Sequence, residues 1–228
     1  MQSALMMEEL VSKHSAIMDK YDKDKKIALF VDEWGGWYDV ERYKSGFLYQ
    51  QNTIRDAMIA GATLNIFNNH ADRVKMANLA QAVNVLQSVI LTKGDAMILT
   101  PTYFVMKMYK VHQNAKLIPL KFDSPVYEFN GESIPAISAS CSQDDDGVVH
   151  LSLVNLDANK SHELNIDLDK LNFKNVSSEI LSSGNISDFN DFENPNKIQI
   201  KKYTDFKVKH KELEIEIPPF SVVMVTLQ

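Results

Sequence analysis

The feature that most constrains the fold of this chain is a change of hydrophobic pattern near its midpoint. Residues 1–115 alternate between helix-like and strand-like segments, whereas residues 116–228 contain short strand-like runs separated by Gly, Asn, Asp and Pro. Alternating strands and helices are typical of a parallel sheet, and closely spaced short strands are typical of a β-sandwich. The sequence therefore predicts two domains of different class, at residues 1–115 and 116–228.

The charge distribution changes at nearly the same place. Residues 1–116 carry 14 basic and 12 acidic side chains, and residues 117–228 carry 10 basic and 18 acidic ones. Neither part has the basic stripe that binds a phosphate backbone, so nucleic acid is not an expected partner. An apolar run of 18 residues is absent, and the N-terminus lacks the basic region of a signal peptide, so we expect no membrane partner. Cys141 is the single cysteine, which excludes an internal disulfide and leaves the compartment open between cytoplasm and periplasm.

The first part contains apolar patterns for helices and for buried strands. Helices are predicted over about 3–20, 49–60 and 71–91, and from Thr100-Pro101 to about 113, while strands are predicted at 27–31 and 62–67. Gly61 is expected to end the second helix, since glycine commonly follows the last helical residue. Six apolar residues between Met76 and Ile90 follow a helical period and predict the third helix.

The second part contains repeated β-type runs. The main ones are 117–122, 134–141, 148–156, 164–168, 213–217 and 222–227. Asp144–Asp146 precede Gly147 between two of these runs, so a hairpin turn is favoured there over a calcium site. The six histidines show no spacing typical of metal ligands, and no metal site is predicted.

Residues that could carry chemistry follow the first predicted strand. That strand ends at Asp32-Glu33, and two tryptophans follow, Trp34 and Trp37. Side chains alternate along a strand, so Glu33 is expected to share a face with Leu29 and Val31. If that face lines the interior of a barrel, Glu33 projects into the barrel mouth, where catalytic residues of (β/α)₈ enzymes lie. The alternative is a solvated or ion-paired Glu33 at a strand end, with both tryptophans in the core.

Three segments resemble glycoside hydrolase family 51, whose best-known members are α-L-arabinofuranosidases. They are VDEWGGWYD, NNHADRVKMANLAQAVNVLQS and the ending IPPFSVVMVTLQ. The resemblance implies a (β/α)₈ TIM barrel followed by a C-terminal, jelly-roll-like antiparallel β-sandwich, with Glu33 as the catalytic nucleophile. It also implies that Trp37 walls the sugar subsite and that Gln81 reaches the sugar or the nucleophile. Gly35 departs from the family pattern, which often has Asn at this position.

The same resemblance implies an activity. Family members release terminal arabinofuranosyl groups from arabinan, arabinoxylan or oligosaccharides with retention of configuration. The implied partner is therefore an arabinose-containing saccharide, no cofactor is needed, and the parent enzyme is expected to be a homo-oligomer.

The position of Gln81 gives partial support from the residues alone. On the predicted helix it lies about 200° around the axis from Leu79, away from the apolar stripe. Gln81 would thus be free to serve a polar site, although a glutamine that simply faces solvent has the same pattern.

A complete barrel needs about 250 residues, so residues 1–115 can form only part of one. The resemblance implies that the two predicted strands are the seventh and eighth of eight. The absent N-terminal barrel segment is therefore an expected partner. The family's acid/base Glu follows the fourth barrel strand, and the nearby acids Asp32, Asp39, Glu41 and Asp72 do not match its motif. We therefore expect weak or no hydrolysis by this chain alone.

Two alternative functions stay open at the level of the sequence. One is a non-catalytic carbohydrate-binding or structural remnant, and the other is a related β-xylosidase or endoglucanase.

Overall fold

The structure, a computed structural model, describes residues 1–39 and 48–228. Its helices are α1 (Gln2–Asp19), α2 (Ile54–Asn69) and α3 (Pro101–Tyr109), and a 3₁₀ turn at Lys110–His112 continues α3. The predicted first and last helices are confirmed, and Thr100 caps α3 through its hydroxyl as expected. Over the described ranges, no helix combines the length and apolar character needed to cross a membrane.

The described residues of the first part also form four strands. They are β1 (Leu29–Trp34), β2 (Val74–Leu79), β3 (Ile90–Lys93) and β4 (Ala96–Leu99). β1 and β2 pair in parallel with α2 between them in the chain, which makes a βαβ unit. β3 and β4 form an antiparallel hairpin that leads into α3.

The predicted helix at 49–60 and strand at 62–67 are wrong, because a single helix covers residues 54–69. Thr53 begins this helix with a capping box, in which its amide donates to Asp56 Oδ2 at 2.8 Å. Gly61 lies inside the helix rather than at its end. A Cβ at Gly61 would lie 2.9 Å from Val154 Cγ2, so glycine serves here to bring the helix close to the sandwich.

The predicted helix at 71–91 is also wrong, because its first part is strand β2 and its last residues begin β3. Parallel pairing with β1 overrides the helical spacing of the apolar residues. Arg73 anchors the start of this strand, and its guanidinium is fully buried. The guanidinium forms ion pairs with Asp19 and, at 2.7 Å, with Asp22, and it donates to the Ile27 carbonyl at 2.8 Å.

The second part is an antiparallel β-structure, as predicted. Its strands are β5 (Lys116–Leu117), β6 (Val126–Phe129), β7 (Glu132–Pro135), β8 (Ile137–Gln143), β9 (Val149–Asn155), β10 (His162–Asp167), β11 (Val176–Leu181), β12 (Lys201–Tyr203), β13 (Phe206–Lys209), β14 (Glu212–Ile217) and β15 (Ser221–Leu227). The largest sheet has the order β12-β11-β15-β9-β8-β5, a second sheet has the order β10-β14-β13, and β6 pairs with β7 in a separate two-stranded sheet. Asp144 forms the β8–β9 hairpin turn, where its Oδ1 accepts from the amides of Asp146 and Val148.

The six-stranded sheet is the central layer, and its two faces pack against different partners. On β15, Val223 and Val225 belong to a core shared with the three-stranded sheet. Val222 and Met224, which alternate with them, belong to a core that includes α2 and α3. Because the sheet is covered on both sides, β9 is buried along its whole length and β15 along nearly all of it.

A buried polar network fixes α2 on this sheet. Asn65 Oδ1 accepts from Ser152 Oγ at 2.7 Å, Ser140 Oγ at 2.9 Å and Tyr109 OH at 2.9 Å, and Asn65 Nδ2 donates to Ser138 Oγ at 3.1 Å. Asn65 is completely buried. One side chain thus joins α2, α3 and two sandwich strands.

We predict that Asn65→Ala lowers the free energy of unfolding by about 3 kcal/mol, since three buried hydroxyl groups each lose one hydrogen-bond acceptor. Urea denaturation followed by circular dichroism measures the change. Asn69→Ala is the matched control on the same helix, because exposed Asn69 makes a single 3.0 Å bond to the Ala139 carbonyl, and about 1 kcal/mol or less is expected. Equal losses in the two variants would contradict the central role of Asn65.

A second polar contact joins the end of α3 to the sandwich. His112 Nδ1 lies 2.7 Å from Ser142 Oγ, and the His112 ring packs edge-on against Tyr109. Burial, and secondly the neighbouring His150, lower the pKa of His112 from 6.5 to about 4. Protonation therefore favours the unfolded chain, where the pKa is ordinary.

From this shift we predict a pH dependence of stability. The contribution of His112 is complete above pH 6.5 and is lost progressively as the pH falls toward 4. Unfolding free energies of the wild type and of His112→Phe, measured from pH 7 to pH 4, should differ in slope, with the wild type falling more steeply. Parallel curves would show that His112 does not titrate in this range.

Candidate active site

The carboxyl ends of β1 and β2 lie side by side. Trp34 pairs with Leu79 at the end of the two strands, and the Ala80 amide donates to the Trp34 carbonyl at 2.9 Å. Residues that follow the two strands therefore meet at one edge, which is the edge where parallel α/β structures place their functional groups.

A bulge interrupts β1 just before this edge. Val31 pairs with Ala77 and Trp34 with Leu79, so Asp32 and Glu33 together oppose the single residue Asn78. The expectation that Glu33 shares a barrel-lining face with Leu29 and Val31 is wrong. Those two side chains pack against the core of α2 and α3, and the extra residue in the bulge puts Trp34, not Glu33, on that face.

Glu33 and Trp37 line the same cavity of about 260 Å³. The other lining residues are Trp34, Gly35, Gly36, Ala80 and Leu86. Glu33 is exposed and the Trp37 side chain is 66% exposed, so both are accessible to a ligand. Trp34 is only 4% exposed and packs edge-on against Phe67, which makes it a core residue.

Gln81 is not among the residues that line the cavity, but it directly follows the lining residue Ala80. It is exposed and follows Ala80 directly in the loop after β2, so it is not on a helix and has no helical face. The parallel pairing of β1 and β2, not helical geometry, places Gln81 at the same edge as Glu33.

Two buried glutamines near the cavity were missed by the sequence analysis. Gln87 Oε1 accepts from the Gly36 amide at 2.5 Å, and Gln50 bonds to both Gly36 and Tyr38. Both glutamines are almost fully buried. The predicted helix at 71–91 includes Gln87 and does not form, so no signal in the sequence separates Gln87 from a surface glutamine.

An ion pair between Arg55 and Asp56 lies next to Tyr38 of the loop. Arg55 lies 3.8 Å from the centre of the Tyr38 ring and 3.2 Å from Asp56 Oδ2. Burial raises the pKa of Asp56, and the Arg55 guanidinium opposes that rise. Burial, reinforced by the charge of Asp56, raises the pKa of Tyr38 to about 12, so its phenol stays neutral.

Within the described part of the chain, the cavity lining supplies a single carboxylate, that of Glu33. Asp32 and Asp39 are exposed, Asp72 pairs with Lys25, and Glu41 lies outside the described residues. The described residues contain no cluster of three or more His, Cys, Asp or Glu side chains that could hold a metal ion. The arrangement places one carboxylate beside an exposed aromatic side chain.

Comparisons with known proteins define the family. Residues 32–221 match the family described as the alpha-L-arabinofuranosidase C-terminal domain. An intracellular exo-alpha-L-arabinofuranosidase of Bacteroides ovatus is 45% identical over 230 residues, which is 100% of this chain and 45% of that protein.

Solved structures agree with this match. The GH51 arabinofuranosidase from Xanthomonas axonopodis pv. citri superimposes with a TM-score of 0.95 at 43% identity, over 99% of this chain and 46% of that one. A family 51 alpha-L-arabinofuranosidase from Bifidobacterium longum has a TM-score of 0.83 at 25% identity, over 99% of this chain and 48% of that one.

The chain therefore belongs to the α-L-arabinofuranosidase C-terminal domain family. The resemblance to glycoside hydrolase family 51 is confirmed, and so is the fold class, the last βα units of a (β/α)₈ barrel followed by a C-terminal β-sandwich. The chain spans about half the length of the relatives described above.

Gly35 is predicted to be essential for the geometry of the cavity. Its φ is +138°, and a Cβ would lie 3.3 Å from the Ala80 carbonyl oxygen, so Gly35→Ala should lower the unfolding free energy by about 1–3 kcal/mol. The control is Gly184→Ala, where a Cβ meets no atom within 4 Å, and a change within about 0.5 kcal/mol is expected. Urea denaturation compares the two, and similar values would argue against strain at position 35.

Proposed function

We propose that this chain is the C-terminal part of a retaining α-L-arabinofuranosidase and that Glu33 is its nucleophile. The observation that carries the proposal is that Glu33 and the exposed Trp37 share one cavity at the carboxyl ends of two parallel strands. In (β/α)₈ enzymes this end of the strands holds the catalytic groups. Membership of the α-L-arabinofuranosidase C-terminal domain family supports the choice of reaction.

In the proposed mechanism, Glu33 carboxylate attacks the anomeric carbon of an arabinofuranosyl group as the bond to the leaving oxygen breaks. The products are a covalent glycosyl-enzyme and an alcohol that has taken a proton from an acid. Water, which gives a proton to the same acid/base group, then attacks the anomeric carbon, so that the bond to Glu33 breaks, arabinose leaves and the carboxylate is regenerated. The acid/base group is a Glu outside this chain, since retaining enzymes need a second carboxyl about 5–5.5 Å from the first.

Trp37 and Gln81 are proposed to hold the sugar. An exposed indole face packs well against the apolar face of a sugar ring, and the primary amide of Gln81 can donate and accept hydrogen bonds with hydroxyl groups. The proposed substrates are arabinan, arabinoxylan and arabinose-containing oligosaccharides, cleaved at terminal residues as the word "exo" in the name of the Bacteroides ovatus relative suggests. No cofactor enters this chemistry.

The open side of the βαβ unit supports an N-terminal barrel segment as partner. Phe30 and Met76 face each other across β1 and β2 and are 52% and 42% exposed. α1 presents a second apolar stripe of exposed residues, Met6, Leu10 and Ile17. Exposed apolar surface of this kind is typical of an interface that another part of the protein covers. We accordingly propose that residues 1–115 are the C-terminal portion of the barrel and residues 116–228 the sandwich.

The proposal predicts a covalent adduct on Glu33. The chain is incubated with 2,4-dinitrophenyl α-L-arabinofuranoside, whose leaving group departs without an acid, and is analysed by intact-protein and peptide mass spectrometry. A single arabinosyl adduct on Glu33 is expected in the wild type and in Asp39→Asn, the nearby exposed acid used as control. Glu33→Gln should show no adduct.

A second experiment provides the N-terminal barrel segment that this chain lacks. The chain is co-expressed with the N-terminal portion of the Bacteroides ovatus relative that it does not match, and hydrolysis of an arabinofuranoside with a poor leaving group is measured. Turnover is expected only from the mixture, and Glu33→Gln should reduce it by at least about 10³-fold. Turnover that survives Glu33→Gln, or an adduct on another residue, would overturn the assignment of the nucleophile.

A further inference from the structure

Trp37 lies between two peptide groups that are held by side chains from elsewhere in the chain. On one side, the Gly36 amide donates to Gln87 Oε1 at 2.5 Å, and the Gly36 carbonyl accepts from Gln50 Nε2 at 2.9 Å. On the other side, the Tyr38 amide donates to Gln50 Oε1 at 3.0 Å. The backbone is therefore tied immediately before and immediately after the indole-bearing residue.

The two glutamines are themselves anchored. Gln87 is completely buried, and its Nε2 donates to the Asp56 carbonyl at 2.8 Å and lies 3.3 Å from Thr102 Oγ1. Gln50 is 3% exposed, and its carbonyl accepts from Asn52 Nδ2 at 3.3 Å. Burying an amide group without a hydrogen bond costs free energy. The hydrogen-bond partners of each glutamine therefore define the position of its side chain.

The loop needs this support because its own sequence provides little restraint. Gly35 and Gly36 lack a Cβ, and glycine has more backbone freedom than any other residue. Neither position could easily carry a larger side chain. A Cβ at Gly35 would lie 3.3 Å from the Ala80 carbonyl oxygen, and a Cβ at Gly36 would lie 3.2 Å from Gln87 Oε1. The restraint on the backbone comes from the glutamines instead of from the loop.

We infer that Gln50 and Gln87 are positioning residues that hold Trp37 in the wall of the cavity. The inference rests on the proposed function, because it names what fixes the indole against which the sugar packs. Neither glutamine is among the residues that line the cavity, so they act through the loop backbone. Glu33 is positioned separately, by the bulge of β1, and should keep its reactivity when the glutamines are changed.

The first test does not need a sugar. Gln50→Met and Gln87→Met remove the hydrogen bonds while they keep the length of the side chain, and amide hydrogen exchange is measured by NMR. The Tyr38 amide should exchange about tenfold faster or more in Gln50→Met, and the Gly36 amide likewise in Gln87→Met. Gln143→Met is the matched control, because Gln143 also bonds to a loop carbonyl, that of Gly147, but in the sandwich.

The buried amides of β15 serve as an internal reference in the same spectra. Faster exchange confined to residues 36–38 supports the inference. Unchanged exchange at Gly36 and Tyr38 would overturn it. Acceleration of the β15 amides by the same factor would also overturn it, since the glutamines would then support only global stability.

The second test separates positioning from catalysis. The rate of adduct formation on Glu33 is measured against the concentration of the dinitrophenyl arabinofuranoside. Each glutamine variant should raise the concentration for half-maximal rate about tenfold while it changes the maximal rate less than about threefold, because the indole contributes to binding. If the maximal rate falls while the concentration for half-maximal rate stays the same, the inference that the glutamines act by positioning Trp37 is wrong.

The two proposals can fail independently. If the wild type forms no adduct on Glu33, alone or with the N-terminal portion of the relative, the proposed nucleophile is wrong, and the exchange measurement still decides whether the glutamines hold the loop. If the wild type forms the adduct and the glutamine variants match it at every concentration, the proposed function stands and the positioning role is wrong.

Discussion

The docking of α2 on the six-stranded sheet is the interaction on which the rest of this structure depends. Asn65 accepts hydrogen bonds from Ser140, Ser152 and Tyr109 in a site closed to water. Gly61 allows the helix backbone to approach Val154 more closely than any other residue would permit. Because buried polar groups must be paired, this network allows one orientation of the helix, and hydrophobic contact alone would allow several.

The candidate active site takes its geometry from that helix. The first turn of α2 provides the Asp56 carbonyl that holds Gln87, and Gln87 holds Gly36. The same turn receives support from the sandwich, since the amide of Ile54 donates to the Asp188 carbonyl at 3.0 Å. Hydrogen bonds at the two ends of this first helical turn thus connect a sandwich loop with the residue before Trp37. The sandwich is in this sense part of the support for the cavity.

Secondary structure was predictable from the sequence where residues close together in the chain determine it. Thr100-Pro101 starts a helix through a cap that neighbouring residues complete, and β14 alternates between buried and exposed positions, so both were predictable. The secondary structure of residues 62–67 and 71–91 was not predictable from the sequence. Residues 62–67 have strand-like composition but continue a helix that starts at the Thr53 capping box, and Val74–Leu79 have helical spacing but pair with β1. Short apolar runs fit either structure, and the partner that buries them decides.

The sequence by itself determined that a carboxylate and a tryptophan lie at the end of a strand, that a βα part precedes an antiparallel part, and that the family is glycoside hydrolase family 51. Only the tertiary structure decided how these residues are arranged. The bulge that puts Trp34 in the core and leaves Glu33 at the cavity depends on the register between β1 and β2. The roles of Gln50 and Gln87 depend on contacts across 12 to 51 positions of the chain. Such contacts leave no periodic pattern, because a buried glutamine and a solvated one are the same letter until the surrounding chain has folded.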